Sequence, residues 1–335
     1  MTIQLTIIGL GQIGGSIGLA LGSLGDKIER TGTDIERGVM SQAKTMGAVD
    51  KTTPDLNSAV KDADIVILAV PLDQVKEVID AIAPVIKAGA LVMETSPVKV
   101  KLSEWVMERL PESCGYVGLT PVLNPKYLHS ETFGIQAAKA DLFKDGLFCV
   151  VTPSEAKPQA IQTAIDLIEH MDASPLFFDL YEIDGLMAAV HFLPQLMSVA
   201  LLNSTLDQPG WNEARKIAGR AFAEVTGPAA HLDDAEAIKT ATEMNKENIT
   251  RKLDDIILTL QTIREEIAQD ELEGFESRLK EAKAGVDTWW KERGGGNWLA
   301  EELPRSDLMP RSSEVMGNLL GFGLGRKKKK DRDKD

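Results

Sequence analysis

The chain has 335 residues, 43% of them hydrophobic and 26% charged, with a formal net charge of −14. That length can bury the cores of two domains, and the composition is ordinary for a globular protein. The acidic balance excludes a broad basic surface for nucleic acid, while Cys114 and Cys149 lack ligand spacing, so that no metal and no disulfide is expected and a reducing cytoplasm is.

The N-terminal stretch reads as strand, glycine turn and helix. Ile3 to Ile8 is a short apolar run, Gly9-Leu-Gly11-Gln12-Ile13-Gly14 follows, and Ile13 to Leu21 has helical character. No secretory leader is expected ahead of a strand that begins at Ile3. Glycines at this spacing let the backbone turn tightly and approach a pyrophosphate. The helix they open aims free N–H groups and its positive dipole end at that phosphate. A second apolar stretch ends in Asp34, 20 residues past Gly14. A carboxylate there accepts hydrogen bonds from an adenosine ribose and repels a 2′-phosphate. The expected cofactor is NAD, with NADP left possible by Arg37 three residues on. Gly9, Gly11, Gln12, Ile13, Gly14 and Asp34 are the first candidate cofactor-binding residues.

Further along, Ile65 to Val70 is a continuous apolar run of strand length, and Val75, Val78, Ile79, Ile82, Val85 and Ile86 recur at helical spacing. Ala90 to Met93, Gly115 to Leu119 and Leu147 to Val151 read as strands, and Ser154 to Met171 as a helix. This alternation predicts an α/β fold, a doubly wound parallel sheet of Rossmann type over residues 1–172. Ligands of such sheets sit beyond the carboxyl ends of the strands. That brings Val70, Pro71, Ser96 and Thr120 to one crevice, the first three on the cofactor side.

Strand signals stop at about Leu180. Ile183 to Leu206 is helical and very apolar, with a kink expected at Pro194. Its polar residues Asp184, His191, Pro194 and Gln195 argue for a buried helix rather than a membrane span. Trp211 to Val225 reads as one helix and Asp233 to Gln269 as another, with Ile249, Leu253, Ile256, Ile257, Leu260, Ile263 and Ile267 at spacings of three and four. A third runs from Glu271 to Trp290. Residues 173–292 are therefore expected to form an all-helical substrate and dimerisation domain, with packing inside one chain as the alternative. Residues 293–335 read as an unstructured, solvated tail ending in Arg326-Lys-Lys-Lys-Lys330, and membrane contact by it is not expected.

Several segments together resemble the prephenate and arogenate dehydrogenases: Gly9 to Ser16, Gly47-Ala-Val-Asp50, Asp64 to Pro71, Ala137 to Phe143, and the apolar helix with Leu193-Pro194. Order and spacing match from Met1 to about Ile267. The resemblance implies a cytoplasmic homodimer that oxidises a cyclohexadienyl carboxylic acid with a nicotinamide cofactor and releases carbon dioxide, on the way to tyrosine. It also marks departures. Thr120 stands where the resemblance implies a basic histidine, and Pro97 where it implies a serine before Val98-Lys99. His191 is offset by one residue from a histidine position, a rotation of about 100° on a helix. Gly227 takes the place of a substrate-binding arginine.

The candidate catalytic residues are accordingly His191, the surviving side chain with a pKa near neutrality, Lys99 at a strand end, and His129 in the loop after Thr120. Thr120, Ser130 and Gln195 are candidate substrate contacts, and Glu94 is expected to fix its loop. A dehydrogenase of another hydroxy or imino acid, or a catalytically silent NAD-binding regulator, remains an alternative reading.

Overall fold

In the computed structural model, described over residues 2–130, 132–230 and 235–295, eight strands form one sheet. They are β1 (Ile3–Ile8), β2 (Ile28–Thr33), β3 (Lys51–Thr52), β4 (Ile65–Leu68), β5 (Leu91–Glu94), β6 (Gly115–Val122), β7 (Leu147–Val151) and β8 (Ser174–Phe177). Their order is β3-β2-β1-β4-β5-β6-β7-β8. Helices α1 (Gln12–Ala20), α2 (Arg37–Thr45), α3 (Leu56–Val60), α4 (Leu72–Ile82), α5 (Val100–Arg109) and α6 (Pro158–His170) cover the two faces. The four residues of β4 and of β5 are all buried, as strands sandwiched between helices must be. One apolar cluster gathers Leu5, Ile7, Ile17, Phe143 and Phe148, and the other Ile8, Val66, Val75, Val92 and Ile183. Alternate residues of β1 feed opposite faces, which is why its run is apolar without a break.

Two details correct the sequence reading. The sheet is not wholly parallel, because β7 runs antiparallel to β6, with Thr120 opposite Cys149. Among its described residues the segment between them holds two short 3-10 turns, Pro125–Tyr127 and Gly134–Ala137, and a parallel return needs a longer crossover, usually helical. The first domain also extends past residue 172, since β8 pairs in parallel with β7. Strand β8 has no continuous buried run, so periodicity did not reveal it.

The second unit is helical: α7 (Leu180–Met187), α8 (Leu193–Thr205), α9 (Trp211–Ile217), α10 (Arg220–Ala230), α11 (Ala235–Met244), α12 (Lys246–Ala268) and α13 (Leu272–Gly295). A π-helical turn, Ala188–Phe192, joins α7 to α8 just before Pro194, so the irregularity expected at Pro194 is a widened helical turn ahead of a proline that cannot donate to the preceding turn. The helix expected over 211–225 is broken at Ala218-Gly219, and the 233–269 pattern is broken at Asn245, with Asp233 and Asp234 outside the described residues. Helix α13 continues through Arg293, into what was expected to be tail. The rest of the expected tail, from residue 296, lies outside the described residues. Leu180–Thr205 is long and apolar enough to cross a membrane by length and composition, and only 22% of its most apolar window is buried within the chain. The expectation of a buried helix is thus not met inside one chain. Ile257, Leu258, Leu260 and Ile267 of α12 are exposed as well.

Candidate active site

The glycine turn has the shape its spacing predicts. Gly9 takes φ +87°, and its N–H donates to the Thr33 carbonyl, so the end of β1 is tied to that of β2. A Cβ on Gly14 would lie 1.9 Å from the Gly9 carbonyl oxygen, so only glycine lets α1 start so close to β1. A Cβ on Gly11 would meet nothing within 4 Å. Gly11 is the N-cap of α1 with no side chain capping it, so the first-turn N–H groups are left without a side-chain acceptor. At the end of β2, Asp34 accepts from the Leu10 N–H (2.8 Å) and the Glu36 N–H (2.9 Å). Both bonds fix the carboxylate while leaving lone pairs for ribose hydroxyls. Ile35 beside it is 86% exposed, an apolar surface at the adenine end. Val70 and Pro71 lie where β4 passes into α4, with Pro71 as its N-cap. These residues fit a dinucleotide: an uncapped helix N-terminus behind a cradle that a Cβ would fill, and a fixed carboxylate beyond it.

At the carboxyl ends of β5 and β6 lies a closed polar cluster. Lys99 and Glu94 are both 0% exposed, and Lys99 Nζ donates to Glu94 Oε1 (2.6 Å) and to the Leu119 carbonyl (2.8 Å). Tyr116 donates its hydroxyl to the same Oε1 (3.1 Å), while the Ser96 N–H donates to Oε2 (2.7 Å). Thr120 Oγ1 donates to the Ser96 carbonyl (2.9 Å). Ser96 and Thr120 are thus brought together as expected, both buried. Lys99 is not available in the role expected of it. Its ammonium faces the interior and every contact is made within the protein, so it cannot bind a substrate carboxylate or pass it a proton from this position. Burial lowers the Lys99 pKa and Glu94 partly offsets this; burial likewise drives the Tyr116 phenol well above 10 and the Cys149 thiol up to about 11. Glu94 does fix the loop, as expected.

The helical unit meets this cluster through Asp184. Its Oδ1 accepts from the Lys99 N–H (2.7 Å) and its Oδ2 from the Val100 N–H (3.2 Å), capping α5 from another domain. Asn245 donates to the Asp184 carbonyl (2.8 Å), tying α12 to the same point. Burial raises the Asp184 pKa against these two bonds. The sequence reading treated Asp184 only as a polar interruption; an isolated carboxylate opening an apolar helix was the signal. His191 lies seven residues on, inside the π-helical turn Ala188–Phe192, which rotates it off the α-helical register of the buried Asp184. It is solvent-accessible, yet enough protein surrounds it to lower its pKa below 6.5 by desolvation. Its ring meets Phe192 edge-on at 4.9 Å. Gln195 donates to the His191 carbonyl (2.9 Å), which occupies its amide within the helix. His129 is exposed and stacks on Trp290 of α13 (ring centroids 5.4 Å apart), so it is bound to the C-terminal helix. Ser130 shares a hydrogen bond with the Thr132 hydroxyl (2.8 Å). No group of three or more His, Cys, Asp or Glu side chains is placed to hold a metal among the described residues.

Comparison with known proteins assigns this architecture. Residues 17–175 match the family described as prephenate dehydrogenase, nucleotide-binding domain, and residues 181–281 the one described as prephenate dehydrogenase, dimerization domain. The chain belongs to the prephenate/arogenate dehydrogenase family. Prephenate dehydrogenase of Bacillus subtilis is 24% identical over 285 residues, covering 84% of this chain and 75% of that one. Cyclohexadienyl dehydrogenase of Zymomonas mobilis is 24% identical over 284 residues, covering 84% and 94%. The fold is that of prephenate dehydrogenase from A. aeolicus, solved with hydroxyphenyl propionate and NAD+ (TM-score 0.76, 21% identity, 86% of this chain and 98% of that chain). As members of this family do, the chain joins a nucleotide-binding domain to a dimerisation domain. The apolar helix surface left open in one chain is the face expected of a homodimer, and β8 and α7 fall on either side of the family's own domain boundary.

Proposed function

We propose that this chain is an NAD-dependent dehydrogenase that oxidises prephenate or arogenate with loss of carbon dioxide, as a cytoplasmic homodimer in tyrosine biosynthesis. The observation that carries the reading is the glycine turn with an open cradle at Gly11 and a fixed Asp34, joined in one chain to the family's dimerisation domain. Gly9, Gly11, Gln12, Ile13 and Gly14 would hold the pyrophosphate, Asp34 the ribose, and Val70, Pro71 and Ser96 the nicotinamide side. Bound there, the nicotinamide supplies a hydride acceptor. The chain's own residues position the carbinol carbon against it, exclude water, and take up the proton that the ring hydroxyl loses as hydride leaves and the carboxylate departs as carbon dioxide.

Thr120 cannot be that base, because a threonine hydroxyl has no basic pKa and this one already donates to the Ser96 carbonyl. It serves instead as a fixed hydrogen-bonding wall. The base is His191. Desolvation by the surrounding protein favours its neutral imidazole, the form with a free lone pair. The π-helical turn that carries it holds one residue more than an α turn would, the same length as its offset from the family position. Ser130 and Gln195 line the substrate side in this reading, and His129 acts through its stack with Trp290. The test is to measure NAD+ and NADP+ affinity by fluorescence quenching and then follow NADH absorbance on adding prephenate or arogenate. NAD+ binding with turnover of either acid is expected. NAD+ binding with no turnover of both would overturn the substrate assignment, and a protein that binds neither dinucleotide would overturn the redox reading.

A further inference from the structure

Two cations near the carboxyl ends of β5 and β6 are neutralised by the chain itself. Lys99 sits on Glu94 at 2.6 Å and Lys126 on Asp141 at 3.1 Å. Arg293 is different. It lies in the last turn of α13, keeps 6% of its surface, and makes no ion pair among the described residues. Its Nη2 donates to the carbonyl of Leu123, three residues past Thr120, while its Nη1 is buried and donates to nothing. One turn earlier on α13, Trp290 stacks on His129, which belongs to the segment that leaves β6 through Leu123. The end of α13 and that segment therefore meet at two points, the guanidinium on Leu123 and the indole on His129.

Folded proteins avoid a buried cation without an anion, because its lost hydration is not replaced. Here burial depresses the arginine's pKa, and no carboxylate among the described residues offsets it. The group also retains a fork edge with an unused donor, the geometry that matches a carboxylate. Its anchor, the Leu123 carbonyl, is at the strand end where the substrate crevice begins.

We propose that Arg293 is a substrate-binding residue: a carboxylate of the substrate takes the free Nη1 edge of its guanidinium, and the Trp290–His129 stack is an aromatic cover that parts to admit it. This rests on the reading of the crevice as a site for a carboxylate-bearing substrate. The residue lies beyond the stretch that matches the dimerization domain, which ends at 281.

The test uses the full chain saturated with NAD+. Hydroxyphenyl propionate, the ligand solved with the A. aeolicus enzyme, and its uncharged amide are titrated by calorimetry into the parent, Arg293→Gln and Arg293→Lys. The parent is expected to bind the acid about tenfold tighter than the amide or better. Arg293→Gln should lose that preference while keeping amide and NAD+ affinity within about twofold, and Arg293→Lys should recover part of it. Its melting temperature should hold or rise, since an unpaired buried charge has been removed. Acid binding equal to the parent's in Arg293→Gln would overturn the proposal. So would a joint fall in melting temperature, NAD+ affinity and amide affinity, which marks a purely structural strap. If the parent binds NAD+ but neither acid nor amide, the substrate reading itself fails, and the carboxylate role of Arg293 falls with it.

Discussion

Replacing Lys99 with methionine isolates what the buried ion pair does. The ammonium and the Glu94 carboxylate are both 0% exposed, and Glu94 Oε1 accepts from Lys99 at 2.6 Å and from Tyr116 at 3.1 Å. Lys99→Met leaves the carboxylate with Tyr116 and the Ser96 N–H but no counter-ion, and it leaves the Leu119 carbonyl without its donor. Removing one partner of a buried pair costs about 3–5 kcal/mol, because the remaining charge stays in low dielectric. Replacing both groups with neutral ones of similar volume removes the stranded charge. Glu94→Gln/Lys99→Met is therefore expected to cost less than the sum of the single changes, by about 1–3 kcal/mol of coupling. Urea unfolding of the four proteins measures this cycle, with NAD+ affinity as a second readout, since Glu94 holds the Ser96 backbone. A catalytic lysine would give another pattern: near-parent stability and a lost rate. Lys99→Met within about 1 kcal/mol of the parent, or a strictly additive double variant, would refute the structural role argued here.

The glycine turn predicts a contrast between neighbours. Gly11→Ala should unfold like the parent but lose about tenfold or more in NAD+ affinity, because its Cβ meets nothing in the protein and would stand in the pyrophosphate cradle; Gly14→Ala should be destabilised outright, with a Cβ 1.9 Å from the Gly9 carbonyl oxygen, as urea unfolding and NAD+ titration would read. Asp34→Asn should shift the ratio of NADP+ to NAD+ affinity upward by about tenfold, the size of one lost charge-assisted hydrogen bond, measured by fluorescence quenching. A base with a depressed pKa stays neutral to lower pH, so kcat/KM should hold its plateau down past 6.5 before falling on the acid side, and His191→Asn should lose that limb along with about 10²–10⁴ of the rate. Asp184→Ala should cost about 2–4 kcal/mol in urea unfolding, because it uncaps the Lys99 and Val100 N–H groups in a buried site.

What could be read in the sequence was what repeats or turns. Strand β1, the glycine turn, β4 and the stripe on α4 follow from apolar runs and glycine stereochemistry, which are local. Strand β8 was missed because its residues are half covered, and the break at Asn245 because the apolar spacing continues across it. Lys99 was misread for a different reason. A lysine at a strand end is ordinarily solvated, and its partner Glu94, five residues before it, comes within reach only when Leu119 of β6 and Tyr116 close over both. Asp184 and Lys99 are 85 residues apart in the chain and Leu123 and Arg293 are 170 apart. No spacing rule links positions so distant, so the connections that define the substrate side exist only in the fold.

The two halves of the crevice are built by different means, which bears on how this chain can depart from its relatives. The dinucleotide side is shaped by backbone: glycines without Cβ atoms, open N–H groups and a carboxylate pinned by two amides. Such a site changes little when side chains elsewhere drift. The substrate side depends on individual side chains, and here the Rossmann half has committed its polar groups inward, with Lys99 on Glu94 and Thr120 on Ser96. With no base left at the end of β6, proton transfer in this reading comes from across the crevice, from His191 on the π turn. Catalysis then depends on how the helical unit is held against the sheet. Asp184 sets that placement by capping α5 at Lys99, the partner of Glu94, seven residues before His191. A loosened cap should therefore lower kcat more than it weakens NAD+ binding, since the cofactor rests on the sheet alone and the base does not. Equal losses in both for Asp184→Ala would place the base on the Rossmann side after all.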